Sequence, residues 1–152
     1  RRQRQMCIRD SSDVINAIIN SKLSEASEKG IDVRASVGRE IGETDEYGLS
    51  VALANLLDNA IEGCMRIHGE RKMYFEMFVD GEYLKVFVKN TYDKSGIDLE
   101  TRKENKKLHG FGVKSIKEFS EKNDGFVNFY EENDEFCANM WIIANKSCLF
   151  TS

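Results

Sequence analysis

Asn55 and Asn59 stand four residues apart in the stretch NLLDNAIEG, residues 55–63, within an apolar run of helical period. Asparagine is a mediocre helix former and caps nothing in a helix interior. Helix stability therefore does not account for the pair. An asparagine carbonyl oxygen is a hard, neutral ligand, suited to holding Mg²⁺ beside phosphates. At about 100° per residue, Asn55, Asn59, Glu62 and Arg66 fall within about 60° of one another. The row has two readings: a solvated helix face, which is what most polar rows are, or the lining of a cleft.

A second candidate is HGFGVKSI, residues 109–116. Gly110 and Gly112 let the backbone pass close to a ligand, and a helix starting here offers unpaired N–H groups and a positive dipole end to phosphate. A structural turn would explain a lone G-x-G as well. Arg102, Lys103, Lys106 and Lys107 precede it, which suits a basic lid over an anionic ligand. No G-x-x-x-x-G-K-[ST] occurs, so the segment is not a P-loop.

The elements that must position these residues follow from periodicity. Ser12 can cap a helix in which Ile15, Ile18, Ile19, Leu23 and Ala26 recur, and Gly30 stops it. IDVRASV alternates as a strand. Thr44, Asp45 and Glu46 open a second helix of roughly twenty residues, with Leu49, Leu53, Leu56, Leu57, Ala60 and Cys64 as its core stripe. RKMYFEMFVDGEYLKVFVKN is a hairpin turning at Asp80-Gly81. Residues 91 to about 109 lack an apolar period and read as a long loop. A third helix runs from Gly112 to Asn123 with Val113, Ile116 and Phe119 inward, and GFVNFYEENDEFCANMWIIA is a second hairpin. This order predicts a two-layer α/β sandwich, a mixed sheet of about five strands with three helices on one face.

Composition narrows the function classes. The 152 residues, 41% hydrophobic and 32% charged, suit one domain with a single core. Twenty-two basic and 26 acidic residues leave a net charge of −4, which gives no overall attraction to nucleic acid or anionic lipid. Cys7, Cys64, Cys137 and Cys148 form no C-x-x-C pair, indicating reduced cytosolic thiols rather than a zinc site or disulfide framework. The longest apolar run, Met140 to Ala144, is too short to span a bilayer. His68, just past the second helix, reads as an ordinary surface residue.

Taken together, NLLDNAIEG, the basic loop and HGFGVKSIKEF resemble the ATP-binding domain of the GHKL superfamily, shared by gyrase, Hsp-type chaperones, histidine kinases and MutL. Within it the chain is similar to sensor histidine kinases of the peptide quorum-sensing and citrate-sensing type. Their asparagine helix and lid boundary correspond to Asp45–Glu62 and Thr101–Ile116. The resemblance covers nearly the whole chain and implies a Bergerat-type ATP-binding fold. It also implies that Asn59 ligates the Mg²⁺ of ATP and that Asn55 is the polar residue one turn earlier. By the same resemblance Gly110, Phe111, Gly112 and Val113 wrap the phosphates, Lys103 approaches the terminal phosphate, and His109 matches a histidine common in this subclass. It makes residues 1–152 a single catalytic domain, with residues 1–10 a linker from an upstream dimerisation domain that carries the phosphoacceptor histidine. The implied partners are that domain and a response regulator, with no nucleic acid. The implied parent is a homodimeric, membrane-anchored sensor holding this domain in the cytoplasm.

Two positions depart from the common pattern. Asn90 stands where most of the superfamily has an adenine-binding aspartate in a D-x-G-x-G box, and the glycines are missing. An asparagine offers an acceptor and a donor, matching adenine's amino group and adjacent ring nitrogen. Glu62 stands where many osmosensor-type kinases carry a basic residue, and it is given no role. Three functions compete: a histidine-kinase catalytic domain, a GHKL ATPase, and a degenerate binding module. The ATPases of the superfamily carry a glutamate general base where this chain has Asn55. That favours the kinase.

Overall fold

The computed structural model describes residues 13–93 and 112–144. Ser12, the basic segment 94–108 and the 1–10 linker lie outside the described residues. Helix α1 (Asp13–Glu28) buries Ile15, Ile19 and Ala26, with Ile18 and Leu23 packed against the same core. Its end is set by Gly30 at φ +83°, where the Gly30 N–H donates to the Ser27 carbonyl and the Ile31 N–H to the Ala26 carbonyl. This is the Schellman arrangement, whose left-handed residue favours glycine.

Strand β1 (Asp32–Val37) leads into helix α2 (Glu46–Met65). The α2 cap is Asp45, the middle residue of the expected start signal, and its side chain accepts from the Gly48 N–H at 3.0 Å. Leu49, Leu53, Leu56, Leu57, Ala60 and Cys64 are all buried, as the period requires. Strands β2 (Lys72–Asp80) and β3 (Tyr83–Thr91) pair in register from Asp80 opposite Tyr83. Gly81 at φ +63° and Glu82 make the turn. Helix α3 spans 112–122; Ile116 and Phe119 are buried and Val113 is half-buried. Strands β4 (Phe126–Glu132) and β5 (Glu135–Ile143) turn through Asn133 and Asp134, both at positive φ, the two-residue geometry that matches strand twist.

The sheet order is β1-β2-β3-β5-β4. Only β1 and β2 are parallel, because α2 carries the chain back between them, and the other pairs are antiparallel. The result is the expected mixed five-stranded sheet with helices on one face. One face of the central strands is sealed: Met73, Phe75 and Met77, Leu84, Val86 and Val88, and Met140 and Ile142 are all buried. Edge strand β1 departs from this pattern. Val33 packs against the core, whereas Ala35 and Val37 are exposed, because alternation fixes the phase of a strand but not how far the helices reach over it.

The opposite face carries Tyr74, Phe78, Tyr83, Phe126 and Trp141 among lysines. The Lys85 ammonium lies 3.9 Å from the Trp141 ring centre and 2.7 Å from an Asp80 carboxylate oxygen. Among the described residues, no helix is long and apolar enough to cross a membrane.

Candidate nucleotide site

Asn55 and Asn59 sit half-buried on α2, on the side away from its core stripe, while Glu62 and Arg66 further along the row are exposed. The polar row therefore divides. Its first half faces protein and its second half faces solvent. The protein it faces is the start of α3: a Cβ built on Gly112 would lie 3.9 Å from both Asn55 Cγ and Asn59 Oδ1. That is ordinary contact, so packing does not demand a glycine here. Its missing side chain leaves space beside the two amides at the first described turn of α3.

The tertiary structure thus brings the Asn55 and Asn59 pair to Gly112, more than fifty residues away in sequence, and Val113 beside it is half-buried. Lys103, His109, Gly110 and Phe111 lie outside the described residues. His68 is exposed, as expected.

Asn90 joins the same site from the sheet. It is 3% exposed and shares an inward-facing row with Met73 and Phe136. Together with Leu56, Asn59, Ala60, Val88, Phe129, Phe136 and Ala138 it lines a recess between α2 and the sheet. Leu56 and Ala60 were legible only as part of the α2 core stripe. Val88, Phe129, Phe136 and Ala138 escaped the sequence reading as site residues, their only signal being the inward phase of β3, β4 and β5, which core residues share. Phe129 and Phe136 stack at 6.1 Å with 18° between their planes, and Tyr92 meets Phe136 edge-on. The recess holds only about 10 Å³ of free space, room for one water. A purine ring would enter only as the half-buried walls give way.

A wider groove of about 340 Å³ lies on the other face of the sheet, lined by Arg34, Lys72, Tyr74 and Lys89 among others. It contains none of these amides.

The surroundings of Asn90 are specific. Its Nδ2 donates to the Thr91 carbonyl at 3.0 Å. One of the two N–H groups of this amide is thus bound to backbone, and the other N–H and the oxygen remain as donor and acceptor. A Cβ on Gly63, the last residue of NLLDNAIEG, would overlap Asn90 Nδ2. The neighbouring Cys64 thiol donates to the Lys72 carbonyl at 3.3 Å, and burial pushes its pKa up, so it stays a neutral structural group.

One further contact locks α2 from behind. Lys22 of α1 pairs with Asp58 at 2.7 Å, adjacent in sequence to Asn59. Any divalent ion held through Asn59 would draw its remaining ligands from phosphate oxygens and water, a shell that Mg²⁺ accepts readily.

Residues 46–143 match the profile of the GHKL domain, and the chain belongs to that family. No curated protein sequence matches the chain significantly. Among solved structures, it is similar to the histidine kinase AdeS of Acinetobacter baumannii, with TM-score 0.67 and 13% identity, covering 91% of this chain and 67% of that one. The catalytic domain of the histidine kinase ThkA superposes with TM-score 0.67 and 17% identity, covering 90% and 94%. A histidine kinase from Burkholderia phymatum gives 0.68 and 15%, covering 94% and 75%. At these identities the likeness is one of fold.

Proposed function

We propose that this chain is the ATP-binding catalytic domain of a two-component sensor histidine kinase, transferring the γ-phosphoryl group of ATP to a histidine on a separate dimerisation domain. One observation carries the reading: Asn55 and Asn59 meet the start of α3 at Gly112, beside a recess reached by Asn90. Asn59 holds the Mg²⁺ of ATP by its amide oxygen, and Asn90 meets the adenine. Gly112 and Val113, with Gly110, Phe111, Lys103 and His109 from the preceding segment, hold the phosphates. Mg²⁺ supplies charge neutralisation at the transferring group.

Asn55 decides the nucleophile. An amide cannot take a proton from water as a carboxylate does, so the site binds ATP without activating hydrolysis. The phosphoryl group then awaits an imidazole delivered by the dimerisation domain, attacking in line. From that histidine it passes to an aspartate of a response regulator. The same reading makes residues 1–152 one domain with residues 1–10 as its link to the phosphoacceptor domain. It places the domain in the cytoplasm, in a homodimeric, membrane-anchored parent. The narrowness of the recess favours one alternative, a degenerate module that no longer binds nucleotide.

Calorimetry with Mg-ATP separates these readings. Binding is expected, and its absence would leave the degenerate module. Incubated alone with radiolabelled Mg-ATP, the domain should neither release phosphate appreciably nor label His68 or His109. Mixed with its parent's dimerisation domain, it should label a histidine there, slowly, because the encounter is bimolecular. Vigorous phosphate release dependent on Asn59 would move the assignment to an ATPase.

A further inference from the structure

Helix α3 meets α2 at two places. At the first, the bare backbone of Gly112 lies beside Asn55 and Asn59. At the second, the Phe119 ring lies against the first turn of α2 at Gly48. A Cβ built on Gly48 would come within 2.7 Å of Phe119 Cε1 and 2.8 Å of Cδ1, and would also strike the Asp45 carboxylate. An optimal carbon contact is about 3.5–4.0 Å, so one of these groups would have to move. The Asp45 side chain is exposed and can swing, whereas Phe119 is 8% exposed and cannot swing freely. Neither helix propensity nor a left-handed φ calls for glycine at position 48. The seat it gives the ring does.

The two contacts share one spacing. Seven positions separate Gly48 from Asn55 on α2, and seven separate Gly112 from Phe119 on α3. At about 1.5 Å per residue both stretches are about 10 Å long, so the helices run antiparallel with their contacts in step. Beyond Phe119 the chain is tied to the sheet. Asn123 Nδ2 donates to the Phe119 carbonyl at 2.9 Å, and the Asn123 carbonyl accepts from the Ile143 N–H at 3.0 Å.

We infer that Gly48 and Phe119 are positioning residues for the triphosphate: the bare backbone of one seats the ring of the other, and that close approach holds Gly112 at Asn55 and Asn59. This rests on the ATP-site reading above and extends it to two residues that lie outside the nucleotide site. The adenine recess is built without this contact, since its lining comes from α2, β3, β4 and β5 and includes nothing from α3. A side chain at position 48 should loosen the hold on the phosphates and spare the base.

The test is the ratio of the affinities for Mg-ATP and adenosine, measured by calorimetry, with circular dichroism as the check on folding. Gly48→Ala should lower the ratio on the order of fivefold, the scale on which packed residues remote from a ligand act, with adenosine binding unchanged. Phe119→Leu should lower it as well, because it leaves a gap at the same contact. Gly48→Ala combined with Phe119→Leu should recover most of the wild-type ratio, since the added Cβ fills the space the ring vacates. Asp45→Ala removes the cap of α2 without touching the ring, and should lower the unfolding midpoint but not the ratio. If Gly48→Ala does not fold, Phe119→Leu and the double variant decide. Folded single variants with the wild-type ratio, additive losses in the double variant, or an equal loss in Asp45→Ala would overturn the inference. Failure of the wild type to bind Mg-ATP would instead overturn the ATP-site reading on which it rests.

Discussion

Asn59 lies half-buried on the flank of α2, where it borders the recess beside Leu56 and Ala60, so cutting back its side chain widens that recess without opening the core around Leu53 and Leu57. Asn59→Ala should therefore leave the unfolding midpoint nearly unchanged. It should remove the magnesium-dependent part of ATP affinity, on the order of tenfold or about 1.4 kcal/mol. Calorimetry with Mg²⁺ and again with a chelator reads this directly, and an unaltered magnesium dependence would remove Asn59 from the site. Asn55→Ala should weaken binding less, because this amide stands one turn farther from the recess and is not among its lining residues.

At the scale of elements, α2 is held from three sides: by its stripe on the sheet, by Gly63 against Asn90, and by Lys22 of α1 reaching Asp58. The Lys22 and Asp58 side chains retain 23% and 43% of their exposure, so the ion pair is worth at most about 1 kcal/mol. Its pH signature is still distinct. The hydrogen bond and charge of Asp58 raise the Lys22 pKa above 10.5 against a smaller opposing effect of burial. A raised lysine pKa means that the folded state holds the proton more tightly. The stabilisation is complete below 10.5 and fades as pH climbs through the higher folded value. Lys22→Met should thus lower stability by up to about 1 kcal/mol at pH 7, and the gap from wild type should close above pH 10.5. Urea titrations at both pH values would show it, and a gap that widens with pH would contradict the sign.

Over the whole molecule, the two faces of the sheet do different work. Phe75 points into the helical layer and is fully buried, while Phe78, three residues along the same strand, faces outward at 36% exposure. Phe75→Ala should cost roughly 3–5 kcal/mol, a large share of the 5–15 kcal/mol that holds a domain of this size together. Nucleotide binding should fall with it, since the strand rows that carry Asn90 pack on the same core. Phe78→Ala removes a ring that still touches water and lies 5.9 Å from the Lys85 ammonium, so its cost should stay below about 1.5 kcal/mol. Chemical denaturation of the two variants measures the contrast, and equal losses would mean that the outer face is as closely packed as the inner one.

What the sequence by itself determined is local in origin. The 3.6-residue period set the stripe of α2, Gly30 set the end of α1, and Gly81 set the first hairpin with its turn at Gly81-Glu82, one residue later than Asp80-Gly81, each through backbone geometry reaching only a few residues. The asparagine pair and Gly112 stood out because their residue types did not serve the helices that hold them. Which strand became whose neighbour was decided elsewhere. Strand β3 pairs with β5 and leaves β4 at the edge, and no period distinguishes that order from its alternatives. The same holds for the site: one residue of β3 met the bare backbone of Gly63, one basic side chain of α1 found Asp58, and two phenylalanines closed the recess. A repeating pattern tells which face of an element turns inward. What that face meets depends on how all the elements pack at once, and here that packing set the Asn90 amide against the Thr91 carbonyl and the bare backbone of Gly63.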